Sequence, residues 1–97
     1  MYDLKAMTIL GAKVVYGDLT LVLTGNSSLN IFNKYEISSG GIEDLVGKSI
    51  LSAVKIEKTF VISFEDGGFI KVGLDESDYQ GPEAMVFQGS GMIQVWS

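Results

Sequence analysis

Short apolar stretches follow one another along this chain. In several of them hydrophobic and polar residues alternate with the period of two that marks half-buried strands. The segments "LTLVLTGNSSLNIF", from Leu19, and "FVISFEDGGFIKVG", from Phe60, share this pattern at a spacing of 41 residues. Leu19, Leu21 and Leu23 alternate in the first, and Phe60, Ile62 and Phe64 in the second. Each reads as strand, tight turn, strand. A three-residue loop from Asp66 to Gly68 sets Phe64 opposite Ile70, Ile62 opposite Val72 and Phe60 opposite Leu74, which gives one wholly apolar face. A two-residue turn at Asp66-Gly67 would instead set Ile62 against Lys71. The longer loop is therefore expected, with Gly68 in its left-handed position. On the same plan, a loop from Gly25 to Ser27 pairs Leu23 with Leu29 and Leu21 with Ile31.

The end of the chain, "EAMVFQGSGMIQVWS", predicts a third hairpin around Gly89-Ser90-Gly91, with Phe87 opposite Ile93 and Met85 opposite Val95. "AKVVYG" and "SILSAVKIEK" read as strands feeding the first two hairpins, and "NKYEIS" as a continuation of the strand after Leu29. Helical signal is confined to "GGIEDLVGK", where Ser39 caps a single turn and Gly47 ends it. The fold class that follows is all-β and mainly antiparallel: a small sandwich or partly closed barrel of six to eight strands with at most one short helical turn. On the opposite strand faces Val22 meets Asn30, Thr20 meets Phe32, Val61 meets Gly73 and Glu65 meets Phe69. Such semi-apolar faces are expected to be covered; the alternative leaves apolar groups open to a partner or a second copy.

The 97 residues, 46% of them hydrophobic, fit one domain spanning 1–97. A chain of this size buries about 60 to 65% of its unfolded surface, enough for a modest core without disulfides. It has no Cys, which removes thiol chemistry and Cys-ligated metal and points to an intracellular, cytoplasmic setting. The first residues, "MYDLKAMTILGAKVV", do not make an export signal, because Asp3 stands where positive charge belongs and Lys13 cuts the apolar run. No run is long enough to cross a membrane as a helix.

Charge sharpens the picture. All seven basic residues are Lys, and with twelve acids the net charge is −5. Nucleic acid is therefore not an expected ligand, since phosphate binding needs clustered cations and base reading most often uses Arg. Residues 1–64 hold six acids and six Lys, whereas residues 65–97 hold six acids and Lys71 alone. The excess centres on "DESDYQGPEA", residues 75–84, with Asp75, Glu76, Asp78, Tyr79 and Glu83. With neither His nor Cys, an enzyme would have to work with carboxylates, Lys, Tyr, Ser or Thr, so no catalytic residue is assigned and a non-enzymatic protein is expected. Asp75, Glu76 and Asp78 lack the alternating acids, central Gly and distal Glu of a twelve-residue calcium loop, and their composition is that of a solvated turn. Neither metal nor cofactor is expected. Tyr79 and Trp96 are candidate interface aromatics, the plainer reading being that both pack over the end of the core.

The combination of "LVGKSI", "FVISFEDGGFIKV", a D-Y-x-G-P-E-A segment and a terminal "GMIQVWS" resembles a family of short uncharacterised bacterial all-β proteins. In that family a Leu-x-Gly turn leads into a strand, and a hairpin with an Asp-Gly turn follows. An acidic Asp-Tyr-Glu segment and a Gly-x-hydrophobic-x-Val-Trp strand complete the pattern. Gly47, Asp66, Gly67, Asp78, Tyr79, Glu83, Val95 and Trp96 occupy the matching places. The resemblance runs from about Leu45 to Ser97. It departs at "QGP", between Tyr79 and Glu83, where the family pattern is more compact. Proteins of this kind look like the immunity proteins that bacteria encode beside toxins, and the family supplies no catalytic residues. With small size, no catalytic set and segregated negative charge, the expectation is a bacterial cytoplasmic immunity-like protein that binds and neutralises a basic effector, such as a nuclease toxin, with Asp75, Glu76, Asp78 and Glu83 pairing with its cationic groove and Tyr79 as an anchor. A homo-oligomeric assembly module joined through sheet edges is the alternative, and a ligand pocket inside a barrel a minor third.

Overall fold

The computed structural model describes residues 4–38, 40–89 and 91–96. Alternating sequence becomes alternating burial. In β2 (Asp18–Leu23) and β3 (Ser27–Ile31) the residues Leu19, Leu21, Leu23, Leu29 and Ile31 are buried. In β6 (Thr59–Phe64) and β7 (Phe69–Gly73) Phe60, Ile62, Phe64, Ile70 and Val72 are buried in turn. Their neighbours in sequence face outward, as the pleat of a strand requires. β1 (Ile9–Val15) and β5 (Ile50–Ile56) precede these hairpins as expected. β4 (Tyr35–Ile37), β8 (Met85–Gly89) and β9 (Met92–Trp96) complete nine strands among the described residues. They form two antiparallel sheets, ordered β1-β2-β3-β8-β9 and β4-β7-β6-β5. The inner faces of both contribute to one apolar cluster, a sandwich rather than a closed barrel. Each Leu, Ile or Phe so buried contributes about 1.5 to 3 kcal/mol.

The 41-residue repeat is structural and longer than its sequence trace. β1, β2 and β3 have seven, six and five residues, and so do β5, β6 and β7. Both units carry a β-bulge at the same place, Leu10 in one and Leu51 in the other. Their junction is also repeated. Ala6 N–H donates to Ile50 O (2.8 Å) as Gly47 N–H donates to Ile9 O (2.8 Å), and Ile50 N–H donates to Met7 O as Ile9 N–H donates to Lys48 O. Thr8 and Ser49, which are equivalent in the repeat, face each other in an isolated bridge, with their hydroxyl oxygens 3.1 Å apart. An approximate two-fold axis therefore passes between them and relates one sheet to the other.

Several expectations are corrected. The first two hairpins keep one plan, but each slides by two residues: Leu21 pairs with Leu29 and Leu19 with Ile31, Ile62 with Ile70 and Phe60 with Val72. β2 and β3 are joined by residues 24–26 and β6 and β7 by residues 65–68, and the left-handed positions fall on Gly25, Asn26 and Gly67 rather than on Gly68. A slip of two preserves which face is apolar, so the faces stand. The third hairpin slips by one, with Phe87 opposite Gln94 and Met85 opposite Trp96. This turns Ile93 and Val95 outward. "NKYEIS" does not prolong β3: Asn33 is buried, its Nδ2 donates to Gly73 O (2.8 Å), and the chain crosses there to form β4 in the other sheet.

Among the described residues helical structure is limited to two 3-10 turns, Ile42–Leu45 and Glu76–Asp78, one more than expected. The first follows Gly41 with no side-chain cap; Ser39, the expected cap, lies outside the described residues. The outer faces are not covered. Leu10, Val22, Leu51, Val54, Ile56, Ile93 and Val95 are all exposed. No described helix is long and apolar enough to cross a membrane.

Candidate functional site

The acidic segment follows β7 and folds on itself. Asp75 is the N-cap of the second 3-10 turn: its Oδ1 accepts from the Ser77 N–H at 3.3 Å, while Asp78 Oδ2 accepts from the Asp75 N–H at 3.2 Å. This reciprocal capping box uses both carboxylates for local structure. The Ser77 N–H, followed by the nearby Lys58 charge, holds the Asp75 carboxyl below its ordinary value of 3.8. Lys58 Nζ lies 3.6 Å from Asp75 Oδ2, an exposed ion pair of a kind that contributes little to stability. Gly73 is what lets Asp78 approach β7, since a Cβ there would lie 2.1 Å from Asp78 Oδ2. Asp78 shares a shallow depression with Lys34 and Lys71.

Tyr79 and Trp96 both pack against the core, and Trp96 tilts against Phe60 with ring centroids 5.4 Å apart. Glu76 is exposed. Asp75 and Asp78 are engaged in the turn, while Glu83 lines a separate depression. Among the described residues no three carboxylates converge on a point that could hold a metal ion.

Glu83 instead joins residues from the opposite end of the chain. It lines an open depression of about 380 Å³ with Tyr16, Asp18, Phe32 and the segment 80–83. The β1–β2 turn supplies Tyr16, which is 99% exposed and left-handed at φ 51°. Gly17 follows at φ 85°, so both central residues have the positive φ that a type I′ turn requires. Asp18 opens β2, and Phe32 N–H donates to Ala84 O (2.9 Å), which ties the end of β3 to the acidic segment. Two carboxylates and two aromatic rings thus line one hollow, and none of its lining residues is a lysine. Such a set suits a cationic side chain, by charge and by the negative faces of the rings.

Sequence reasoning missed Tyr16, Asp18 and Phe32. A signal was present in "VYGD", where a bulky aromatic occupies a hairpin position that Asn, Asp or Gly normally fills. Comparison with family models, with curated proteins and with solved structures finds no match to this chain.

Proposed function

We propose that this chain is a non-enzymatic binding protein that holds a basic protein partner, in the manner of the immunity proteins that neutralise toxins. The observation that carries the reading is Tyr16, fully exposed and left-handed beside Asp18 and Glu83. A bulky residue in that conformation costs about 1 to 2 kcal/mol, and strain retained on an exposed turn points to use by a partner. A Lys or Arg of the partner enters the hollow between the two carboxylates and stacks on Tyr16 or Phe32. The net charge of −5 steers a basic protein toward it, with Glu76 contributing at range.

The test is calorimetric titration of the chain with the protein encoded by the adjacent gene, which the reading requires to be basic. The double variant Asp18→Asn, Glu83→Gln should weaken binding by about tenfold or more and flatten its salt dependence. Glu76→Gln should leave the affinity within about twofold. Equal affinity of the wild type and the double variant would remove the hollow from the mechanism, and no binding by the wild type would remove the immunity reading.

A further inference from the structure

The hollow beside Tyr16 is held in place by backbone pairing on two sides. Val15 pairs with Asp18 across the β1–β2 turn, which fixes Tyr16 between them. At the acidic segment, Ala84 is fully buried and its carbonyl accepts from the N–H groups of Phe32 (2.9 Å) and Asn33 (3.3 Å), while its own N–H donates to Trp96 O (2.6 Å). Glu83 stands one residue before this knot, and Phe32 is part of it.

Among the described residues the two carboxylates of the hollow have no internal cation. Asp66 is bonded to Lys48 and Asp75 is paired with Lys58, but neither Asp18 nor Glu83 makes an ion pair. Both are half-buried, so each has lost part of its hydration without a replacement.

An ammonium and a guanidinium use such a place differently. The Lys ammonium is a compact, strongly hydrated charge that keeps its water in a depression open to solvent, and exposed pairs of this kind contribute little. A guanidinium is planar and weakly hydrated, carries five N–H donors in a fixed fork, and lies flat on an aromatic face while its edge meets carboxylates. The hollow offers that combination: the open ring of Tyr16, the half-buried ring of Phe32, and acceptors on Asp18, Glu83 and the Gln80 amide. Its volume of about 380 Å³ is far larger than the roughly 30 Å³ of a water-sized group such as an ammonium.

We infer that the hollow is a preformed arginine site, which selects an Arg side chain of the partner over Lys and binds an isolated arginine residue by itself. The inference rests on the reading that this hollow receives a cationic side chain.

The test titrates N-acetyl-arginine amide and N-acetyl-lysine amide, equal in charge, into the isotope-labelled chain and follows the amide resonances of Gly17, in the β1–β2 turn, and Gly81, in the wall of the hollow. The arginine derivative should shift both saturably, with a Kd of about 1 to 10 mM and about fivefold or more tightly than the lysine derivative. Asp18→Asn, Glu83→Gln should abolish these shifts. Tyr16→Asn, which suits the left-handed turn but lacks the ring, should reduce the preference for arginine to about twofold. Equal affinity of the two derivatives for the wild type, shifts confined to residues away from the hollow, or a double variant that binds arginine as the wild type does would each overturn the inference. Two failures are told apart by the protein of the adjacent gene. If it binds through Asp18 and Glu83 while the two derivatives bind alike, the arginine preference falls and the binding reading stands; arginine selectivity without binding of that protein does the reverse.

Discussion

Gly89 ends β8 on the inner face, where a methyl group has no room. A Cβ there would lie 2.5 Å from the Oγ of buried Ser27 and 2.9 Å from the Phe87 ring. Ser27 is held by its own bond to Gly25 O (3.2 Å), and Phe87 is part of the core, so neither yields easily. Gly89→Ala should destabilise by about 1 to 3 kcal/mol, as overpacked sites do. Gly81→Ala, with nothing within 4 Å, should be within about 0.5 kcal/mol of wild type. Urea denaturation of the pair checks this, and equal midpoints would contradict the packing around Gly89. Asp66 offers a second test at this scale. Lys48 donates to its carboxylate and the Gly68 N–H donates to Oδ1 at 2.8 Å, which together hold it below its ordinary value of 3.8. A group whose folded pKa is lowered stabilises above its unfolded pKa, and that contribution is lost as pH falls through the folded value. The wild type should therefore lose melting temperature below about pH 4 more steeply than Asp66→Asn, which lacks the contribution at every pH. Parallel acid profiles for the two proteins would count against the Lys48–Asp66 bond.

Elements repeat more faithfully than residues do, and the mismatches between the two units are informative. Gly47 adopts φ 92° in the turn before β5, and its counterpart before β1 is Ala6 at φ 72°. Ala6→Gly should then stabilise by about 0.5 to 1 kcal/mol and Gly47→Ala should destabilise by a similar amount, both read from thermal unfolding. Tyr16 at φ 51° corresponds to Glu57 at φ 54° in the β5–β6 turn. Tyr16→Asn and Glu57→Asn should each stabilise by about 1 kcal/mol, but only the first should weaken binding of the basic partner. Loss of binding in both would argue for a general effect of turn geometry. The elements themselves were legible because alternation at Leu19–Leu23 and Phe60–Phe64 specifies a face, and parity survives a slip of two. Register was not, since loops of equal length at neighbouring positions satisfy the same alternation. β9 misled further. "MIQVW" is apolar on both faces and carries no parity signal, and a glycine before Ser90 reads as loop, whereas Gly89 belongs to β8 because its lack of a side chain admits Ser27. Of the residues lining the hollow, only Glu83 is singled out by the sequence pattern. Composition marks 75–84 as acidic, but folding decides that Asp75 and Asp78 turn back onto their own backbone and that Glu83 meets Tyr16 and Asp18.

At the scale of the molecule, the two sheets meet in two ways, through a shared apolar layer and through the backbone pairing of residues 6–9 with 47–50. Neither three-stranded unit can bury its inner face alone, so Leu21 and Ile62 lose their cover together if the sheets part. That dependence predicts a single unfolding transition rather than one per repeat. Ile9 and Ile50 sit where both kinds of contact coincide: each is fully buried, and each both donates and accepts across the approximate axis. Their amides should exchange with solvent only on global unfolding, with protection equal to the free energy from urea denaturation. Ile50→Ala should cost about 2 to 5 kcal/mol and lower the protection of Ile9 and Leu21 by the same amount, although these belong to the other sheet. Loss of protection confined to β5, β6 and β7 would show that each repeat opens by itself and that the junction at Thr8 and Ser49 adds contact without coupling.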